Sequence, residues 1–230
     1  KAQEGAMVLW DGSPHQWLGS SQPACCLMAA IDDATGKVLA ARFFPFEGSF
    51  GYLWLLREVV KGYGIPLVMY HDRHGSLYRN DSHWSVEEQL AGRQEPTQVG
   101  LALEALSLGS IAALSPQAKG RIERLFGTLQ DRLIAELGLK GVQSLEEANR
   151  FLKTYIPRFN RHFAIGPQES EKAWRKVPPA LDLDRVISFR YRSVVGNDNT
   201  VRIGGLMIDL PPGSNRRSYA KAQVEVRQLL

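Results

Sequence analysis

The chain has 230 residues, 44% of them hydrophobic, with a formal net charge of +4. That is material for one large domain, or for one domain with a small appendage. It excludes a membrane-spanning segment, since no apolar run approaches the roughly 18 residues required, and no secretory signal or zinc-ligand spacing is present. The first residue is Lys rather than Met, so the chain reads as a fragment with upstream sequence removed.

Val8 to Asp11, VLWD, is a short apolar run ending in an acid ahead of Gly12-Ser13-Pro14, and predicts a strand and its exit. Cys25 to Asp33, CCLMAAIDD, is apolar on both faces and suits a central strand. Neighbouring strand residues point to opposite faces, so Cys25 and Cys26 read as buried thiols of a reducing compartment, not as a disulfide or metal pair. Asp32 to Gly36, DDATG, predicts a turn, and KVLAARFFPF the strand that pairs back. Ser49 caps a helix through FGYLWLLREVVKGYG that stops at Gly64 and Pro66. Leu67 to Asp72, LVMYHD, is a second apolar run ending in an acid. The stretch RHGSLYRNDSHWSVEEQLAGRQEP reads as a polar, interrupted loop, Thr97 to Leu108 as helical, and SIAAL as a short strand.

Ser115 and Pro116 suit the N-cap and first position of the next helix. Its Ile122, Leu125, Phe126, Leu129, Leu133 and Leu137 recur at three- and four-residue spacing and form one buried face. Ser144 and Glu147 form a capping box for LEEANRFLKTYIPRFNRHF, with Pro157 kinking that helix or ending its regular part. This order predicts a mixed sheet of about five strands covered by helices, an α/β fold. Past a boundary at Pro178–Asp184 the pattern changes. RVISFRYRSV, TVRIGGLMIDLP and YAKAQVEVRQL predict strands separated by turns, a small all-β module over 185–230 that follows a first unit over 1–178. From Arg185 to Leu230 there are eight Lys/Arg against three Asp/Glu, whereas the rest of the chain has 20 against 21. The basic character therefore belongs to the C-terminal end, as a polyanion-binding surface or as a solubilising one.

Two apolar strands end in an acid, Asp11 and Asp72, and Glu123 stands at the margin of a helix's buried face, about 100° round from Ile122. Strand ends that meet a helix start are a usual place for a site in an α/β sheet. Converging carboxylates repel, so a cluster of three persists only where a cation neutralises it. Mg²⁺ prefers hard oxygen ligands, and a pair of such ions about 4 Å apart can activate an attacking oxygen and stabilise a leaving one. Each acid also has a plainer reading: Asp11 as a turn former, Asp72 as a loop cap or partner of Arg73, Glu123 as a boundary Glu near Lys119. Asp32 and Asp33 read as hairpin-turn residues, and His71 and His74 as loop histidines.

The stretches WDGSPHQW, CCLMAAIDDATGKVLAARF, YGIPLVMYHDRHGSLYRN, SPQAKGRIERLFGTLQDRL and YIPRFNRHFAIGP, in that order, resemble the integrase-core transposases of bacterial insertion sequences, relatives of retroviral integrases and of phage Mu transposase. The resemblance covers roughly residues 8 to 170, and its most specific part is PQAKGRIER, where the family places its third acid in a Gly-x-x-Glu context. It implies a ribonuclease H-like fold and a DDE triad of Asp11, Asp72 and Glu123 holding two Mg²⁺ or Mn²⁺. The activity implied is metal-dependent phosphodiester cleavage and strand transfer on DNA, both element ends and target, by a homo-oligomer. Such a protein is expected in the bacterial cytoplasm, on the nucleoid when bound to DNA. Fifty residues separate Asp72 from Glu123, a longer interval than in retroviral integrases, and the surplus around Asn80–Gln98 reads as an inserted loop and helix that could touch DNA or a partner subunit. The terminal β module matches, by position and pattern, the small barrels that follow the catalytic core in this family. Lys119, Arg121 and Arg124 beside Glu123, and Arg190, Arg192, Arg202, Arg216, Arg217 and Lys221 in the module, are candidate phosphate contacts. The family's helix-turn-helix domains are not legible. A non-catalytic scaffold of the same fold, or a nuclease without strand transfer, are the alternatives.

Overall fold

Strand β1, Met7–His15, is the strand about which the sheet is organised. The computed structural model describes residues 1–79, 81–113 and 120–230, with Arg216 described in its backbone alone. On one side β1 pairs antiparallel with β2 (Cys25–Asp32), from Val8 opposite Asp32 to His15 opposite Cys25, and β2 pairs antiparallel with β3 (Val38–Phe44). On the other side β1 runs parallel to β4 (Val68–His71), and β4 parallel to β5 (Gly109–Ala112). The order β3-β2-β1-β4-β5 is the ribonuclease H-like mixed sheet that the resemblance implied.

Helices cover both faces, which is why β2 is buried at all eight positions. The two-residue period of β1 divides its apolar side chains between two cores. Val8 and Trp10 join α1 (Ser49–Tyr63), against Tyr52, Leu53 and Leu56. Leu9 joins α4 (Gly120–Leu139) and α5 (Leu145–Phe163), along with Leu27, Ala29 and Ile31 of β2. All six predicted stripe residues of α4 are buried in this second core, each contributing about 1.5–3 kcal/mol relative to exposure.

Several elements differ from the sequence reading. Strand β1 does not leave the sheet at Gly12-Ser13-Pro14 but stays paired with β2 as far as His15, so Asp11 lies in mid-strand. The N-cap of α1 is Gly48 and Ser49 is its first residue, without a side-chain cap bond. Helix α2 (Val86–Ala91) falls within the inserted loop and helix expected around 80–98, in a stretch whose pattern otherwise reads as loop; Ser85 and Glu88 form a reciprocal capping box that marks its start. Helix α5 continues through Pro157 to Phe163, and the residue four before the proline, Lys153, is solvent-exposed, where water can take the carbonyl that the missing N–H leaves open. The stretch TVRIGGLMIDLP is a hairpin instead of one strand: β7 (Thr200–Ile203) turns at Gly204 and Gly205, with φ of 54° and 81°, into β8 (Leu206–Asp209). Two successive left-handed residues suit a type I′ turn, and glycine adopts them without a Cβ clash. The Ser115 and Pro116 helix start lies outside the described residues. Helix α3 (Gln98–Ala105) begins after its cap Thr97.

The C-terminal β module consists of this hairpin and a second pair, β6 (Phe189–Val194) with β9 (Gln223–Gln228), after a short helix α6 (Leu183–Val186). Ile187 is buried in the core beneath α1, and Leu183, Val186 and Phe189 pack against it. Gln98 accepts from the backbone N–H of Arg190 at 2.8 Å and donates to its carbonyl at 2.9 Å, as a neighbouring strand would.

The outer edge of β3 is closed in the same manner by two asparagines of α5. Asn160 accepts from Val38 N–H at 2.9 Å and donates to Val38 O at 2.8 Å; Asn149 does so with Phe43 at 2.7 and 3.0 Å. Five strand steps and eleven helix steps each span roughly 16 Å, so the two elements stay level along the edge. Asn149→Ala and Asn160→Ala should each cost about 1–3 kcal/mol, because two backbone groups lose partners, lowering Tm by about 2–4 °C per kcal/mol. Thermal unfolding checks this, and an unchanged Tm would show that water satisfies the edge equally well.

Candidate active site

Asp11 sits in β1 between Trp10 and Gly12 and is buried. By strand alternation it shares the face of Leu9, the face crossed by α4. The parallel register pairs Leu9 with Tyr70; two residues further along each strand come Asp11 and Asp72. Adjacent strands lie about 4.8 Å apart, which brings these two acids side by side at the end of β4. Asp72 is fixed by accepting the backbone N–H of His74 at 2.8 Å, an Asx-type turn. His71, the last residue of β4, is buried, with its Nε2 2.8 Å from Ser110 Oγ of β5 and its Nδ1 against the Asp72 carbonyl. It ties β4 to β5 and is a strand residue, not a loop histidine.

A third carboxylate at this end was not foreseen. Glu47, three residues past β3, accepts the hydroxyl of Tyr52 and lies 3.9 Å from His74 Nδ1. It lies against Gly12 so closely that a Cβ there would come 2.5 Å from Glu47 Oε2. The phenol of Tyr52 is pushed far above its usual range by burial, then by the charge of Glu47, with Asp11 and Asp72 adding to it. Tyr52 therefore remains a donor to Glu47. Cys26 feels the same field: burial first, then Glu47 and Asp11, push its thiol up to about 12. The sheet end is thus a region of concentrated negative potential. The rule that singled out Asp11 and Asp72, an apolar strand ending in an acid, would have found Glu47 had it allowed a three-residue offset after FF.

Glu123 lies in the first described turn of α4 and is exposed, as are Arg121 and Arg124. The helix is held at two points, one just past the end of β2 and one on β1. Arg121 donates to Asp33 O at 2.7 Å and stands 3.3 Å from its carboxylate, and Gln130 donates to Ser13 Oγ at 3.3 Å. Asp11 and Asp72 are brought together, but among the described residues no three His, Cys, Asp or Glu side chains are grouped closely enough to hold a metal ion. Asp32 is the buried turn residue it was read as, accepting from Gly5 N–H, Thr35 N–H and Thr35 Oγ1.

Of the basic candidates, Lys119 and the side chain of Arg216 lie outside the described residues. Arg190 is engaged within the fold: its guanidinium donates to Val186 O at 3.1 Å, its Nε is buried without a partner, and burial lowers its pKa. Arg192 is exposed and pairs with Glu95 at 2.9 Å. Arg202 stands 4.0 Å from Asp198, and Arg217 and Lys221 are exposed.

Two curated proteins are similar to the chain over most of its length. The protein y4bF of Sinorhizobium fredii, which carries the name of a transposase, is 39% identical over 193 residues, 84% of this chain and 41% of its own. The transposase for insertion sequence IS1202 of Streptococcus pneumoniae is 33% identical over 199 residues, 86% of this chain and 41% of its own. The chain thus spans about two-fifths of the length of these relatives, and the resemblance to insertion-sequence transposases holds across nearly all of it. Among solved structures, the HTLV-2 integrase catalytic core domain in complex with magnesium, trimeric form, is 16% identical with a TM-score of 0.48, over 74% of this chain and 94% of that one. A simian T-cell lymphotropic virus intasome in complex with PP2A regulatory subunit B56 gamma is 14% identical with a TM-score of 0.49, over 90% of this chain and 66% of that one. No family model matches.

The burial of β2 has a measurable consequence. Both cysteines are buried and both thiols are raised, Cys26 to about 12, so at pH 8 they stay protonated. Ellman's reagent should label neither in the folded protein and both after denaturation. Rapid labelling of the native chain would show that the β1–β2 end is open.

Proposed function

We propose that the chain is the catalytic part of a DNA transposase that cuts and joins phosphodiester bonds, with Asp11, Asp72 and Glu123 as its metal-holding acids. The observation that carries this reading is the parallel register of β1 on β4, which sets Asp11 and Asp72 each two residues past the paired Leu9 and Tyr70, with both carboxylates acting on Tyr52. Hard carboxylate oxygens in an already negative region fit Mg²⁺ or Mn²⁺ and no softer metal. Asp11 and Asp72 would hold the ion from the sheet, and Glu123 would complete the set from the first turn of α4. Two ions held in this way supply activation of an attacking water or 3′-hydroxyl and stabilisation of the leaving oxygen.

The chain's own residues prepare that site. The His74 N–H fixes the rotamer of Asp72, and Tyr52 holds Glu47 beside β1. Gly12, having no side chain, leaves room for that carboxylate. Glu123, exposed in the first described turn of α4, would join the other acids once a cation offsets their charge. Exposed Arg124, Arg192 and Arg217 are placed to meet DNA phosphates, with Lys119 and Arg216 as further candidates. Arg121 would have to leave Asp33 to do so. We read residues 1–178 as the catalytic unit and 185–230 as a DNA-facing module docked on it, the whole acting as a homo-oligomer on element ends and target. Among the described residues no helix is long and apolar enough to cross a membrane. That no three acids are grouped closely enough for a metal among the described residues favours one rival, a scaffold of the same fold that binds DNA without cutting it.

The two readings part on mutation. Asp72→Asn and Glu123→Gln should each lower Mn²⁺-dependent cleavage and strand transfer on an element-end duplex by at least ~100-fold, while affinity for the duplex stays within about twofold. Near-normal transfer by either variant would remove it from the catalytic set.

A further inference from the structure

Helix α2 is built inside out. Its one buried residue is the acid Glu88, while Val86 and Leu90 are 67% and 85% exposed. Glu88 earns that interior place by accepting the N–H groups of Ser85 and Glu95 and pairing with Arg79. Val86 and Leu90 are four residues apart and so share one face, and Trp84, also exposed, precedes them. A short helix that turns its carboxylate inward and its aliphatic side chains to water leaves an apolar ridge without a partner. The flanking charge is acidic. Residues 81–95 carry Asp81, Glu87, Glu88 and Glu95 against Arg93. Arg79 holds Asp81 and Glu88, and Arg192 holds Glu95, which leaves Glu87 exposed beside the ridge and outside any ion pair with a described residue.

The complementary surface lies at the opposite edge of the sheet. Helices α1 and α5 diverge over β3 and leave a groove of about 1040 Å³. Its floor holds Val38, Ala40 and Leu152, all buried, with half-buried Ile156 and the amides of Asn149 and Asn160. Its rim is basic: Lys37, Arg42, Arg150, Lys153 and Arg161 against Glu58 and Glu146. Both of those acids have partners, Glu146 with Arg150 at 2.9 Å and Glu58 with Arg57 at 3.6 Å. Arg42 lies over the Trp54 ring at 5.1 Å, with its Nε buried and unpartnered, and Lys37 lies over Tyr63 at 4.9 Å. The surplus positive charge therefore has no answering carboxylate among the described residues of the groove. Duplex DNA has no use for an apolar floor, whereas a short amphipathic helix with an acidic flank matches both floor and rim.

We infer that the α2 ridge of one copy of this chain docks into the α1–α5 groove of another. Val86 and Leu90 enter the floor and Glu87 meets Lys153 and Arg161 at the rim. The insertion between Asp72 and Glu123 is, on this account, an assembly element. Ridge and groove are different surfaces, one on the β4–β5 connection and the other at β3. The contact is thus heterologous and open-ended, and association grows with concentration instead of stopping at a symmetric dimer. Neither metal nor DNA enters the argument, so it stands or falls separately from the proposed chemistry.

Sedimentation equilibrium on the whole chain at about 10–100 μM tests it, a range in which contacts of micromolar Kd are visible. The wild type should exceed its 25.7 kDa monomer mass and rise with concentration. Leu90→Asp removes the ridge and keeps the groove; Lys153→Glu with Arg161→Glu removes the rim and keeps the ridge. All three positions are exposed, so both variants should retain the wild-type circular dichroism. Each alone should associate at least tenfold more weakly than wild type. Mixed in equal amounts they should form a one-to-one dimer, because the intact ridge of one meets the intact groove of the other. The inference is overturned by a monomeric wild type across the range, by variants that associate like wild type through some other face, or by a mixture that stays monomeric.

Discussion

The parallel register between β1 and β4 is the constraint on which the rest of the site depends. It is set by backbone hydrogen bonds along Met7–Leu9 and Val68–Tyr70, and a shift of one residue would turn Asp72 to the opposite face from Asp11. The same register distributes the hydrophobic side chains. Trp10 faces α1, whereas Leu9 faces α4. Burial of those two cores, each sealed by a helix layer, is what holds two like charges side by side at a sheet end. Burial is the main reason that the Cys26 thiol and the Tyr52 phenol are raised, and the neighbouring acids add to it.

Around that register the fold uses one device three times: a side-chain amide, or a short helix, stands in for a missing strand. Asn149 and Asn160 close the edge of β3, and Gln98 closes β6. Each closure denies that one edge to a neighbouring chain. The groove lies beside the closed edge of β3. The groove exists because α5 is held to the strand edge by its asparagines, while α1 is held to the sheet face by Tyr52, Leu53 and Leu56.

The sheet and its helices were legible because their side chains obey simple periods. The six-residue stripe of α4, the both-faces burial of β2 and the capping box of α5 each follow from spacing alone. Asp11 and Asp72 were legible as acids that end apolar runs. Glu47 was not, because it sits in the β3–α1 turn and is brought back to β1 by its bond to Tyr52, a contact that no spacing encodes. Helix α2 was expected as part of an insertion but could not be bounded: its cap, Ser85 with Glu88, is regular, but its apolar residues point outward, so no inward stripe marks it. The hairpin at Gly204–Gly205 was hidden inside a run that otherwise alternates like a strand. The position of Glu123 relative to the aspartates depends on how α4 is anchored, by Arg121 on Asp33 and Gln130 on Ser13, and long-range pairs of that kind leave no local signature.

The central claim is that the two paired aspartates form a cation site to which Glu123 is drawn. Diffraction from crystals soaked in Mn²⁺ examines this most directly, through the anomalous signal of the metal. The account predicts a peak between the carboxylates of Asp11 and Asp72, at oxygen distances of about 2.0–2.2 Å, with the first turn of α4 moved so that Glu123 faces it. Absence of a peak at saturating Mn²⁺, or a peak ligated without Asp11 and Asp72, would contradict it.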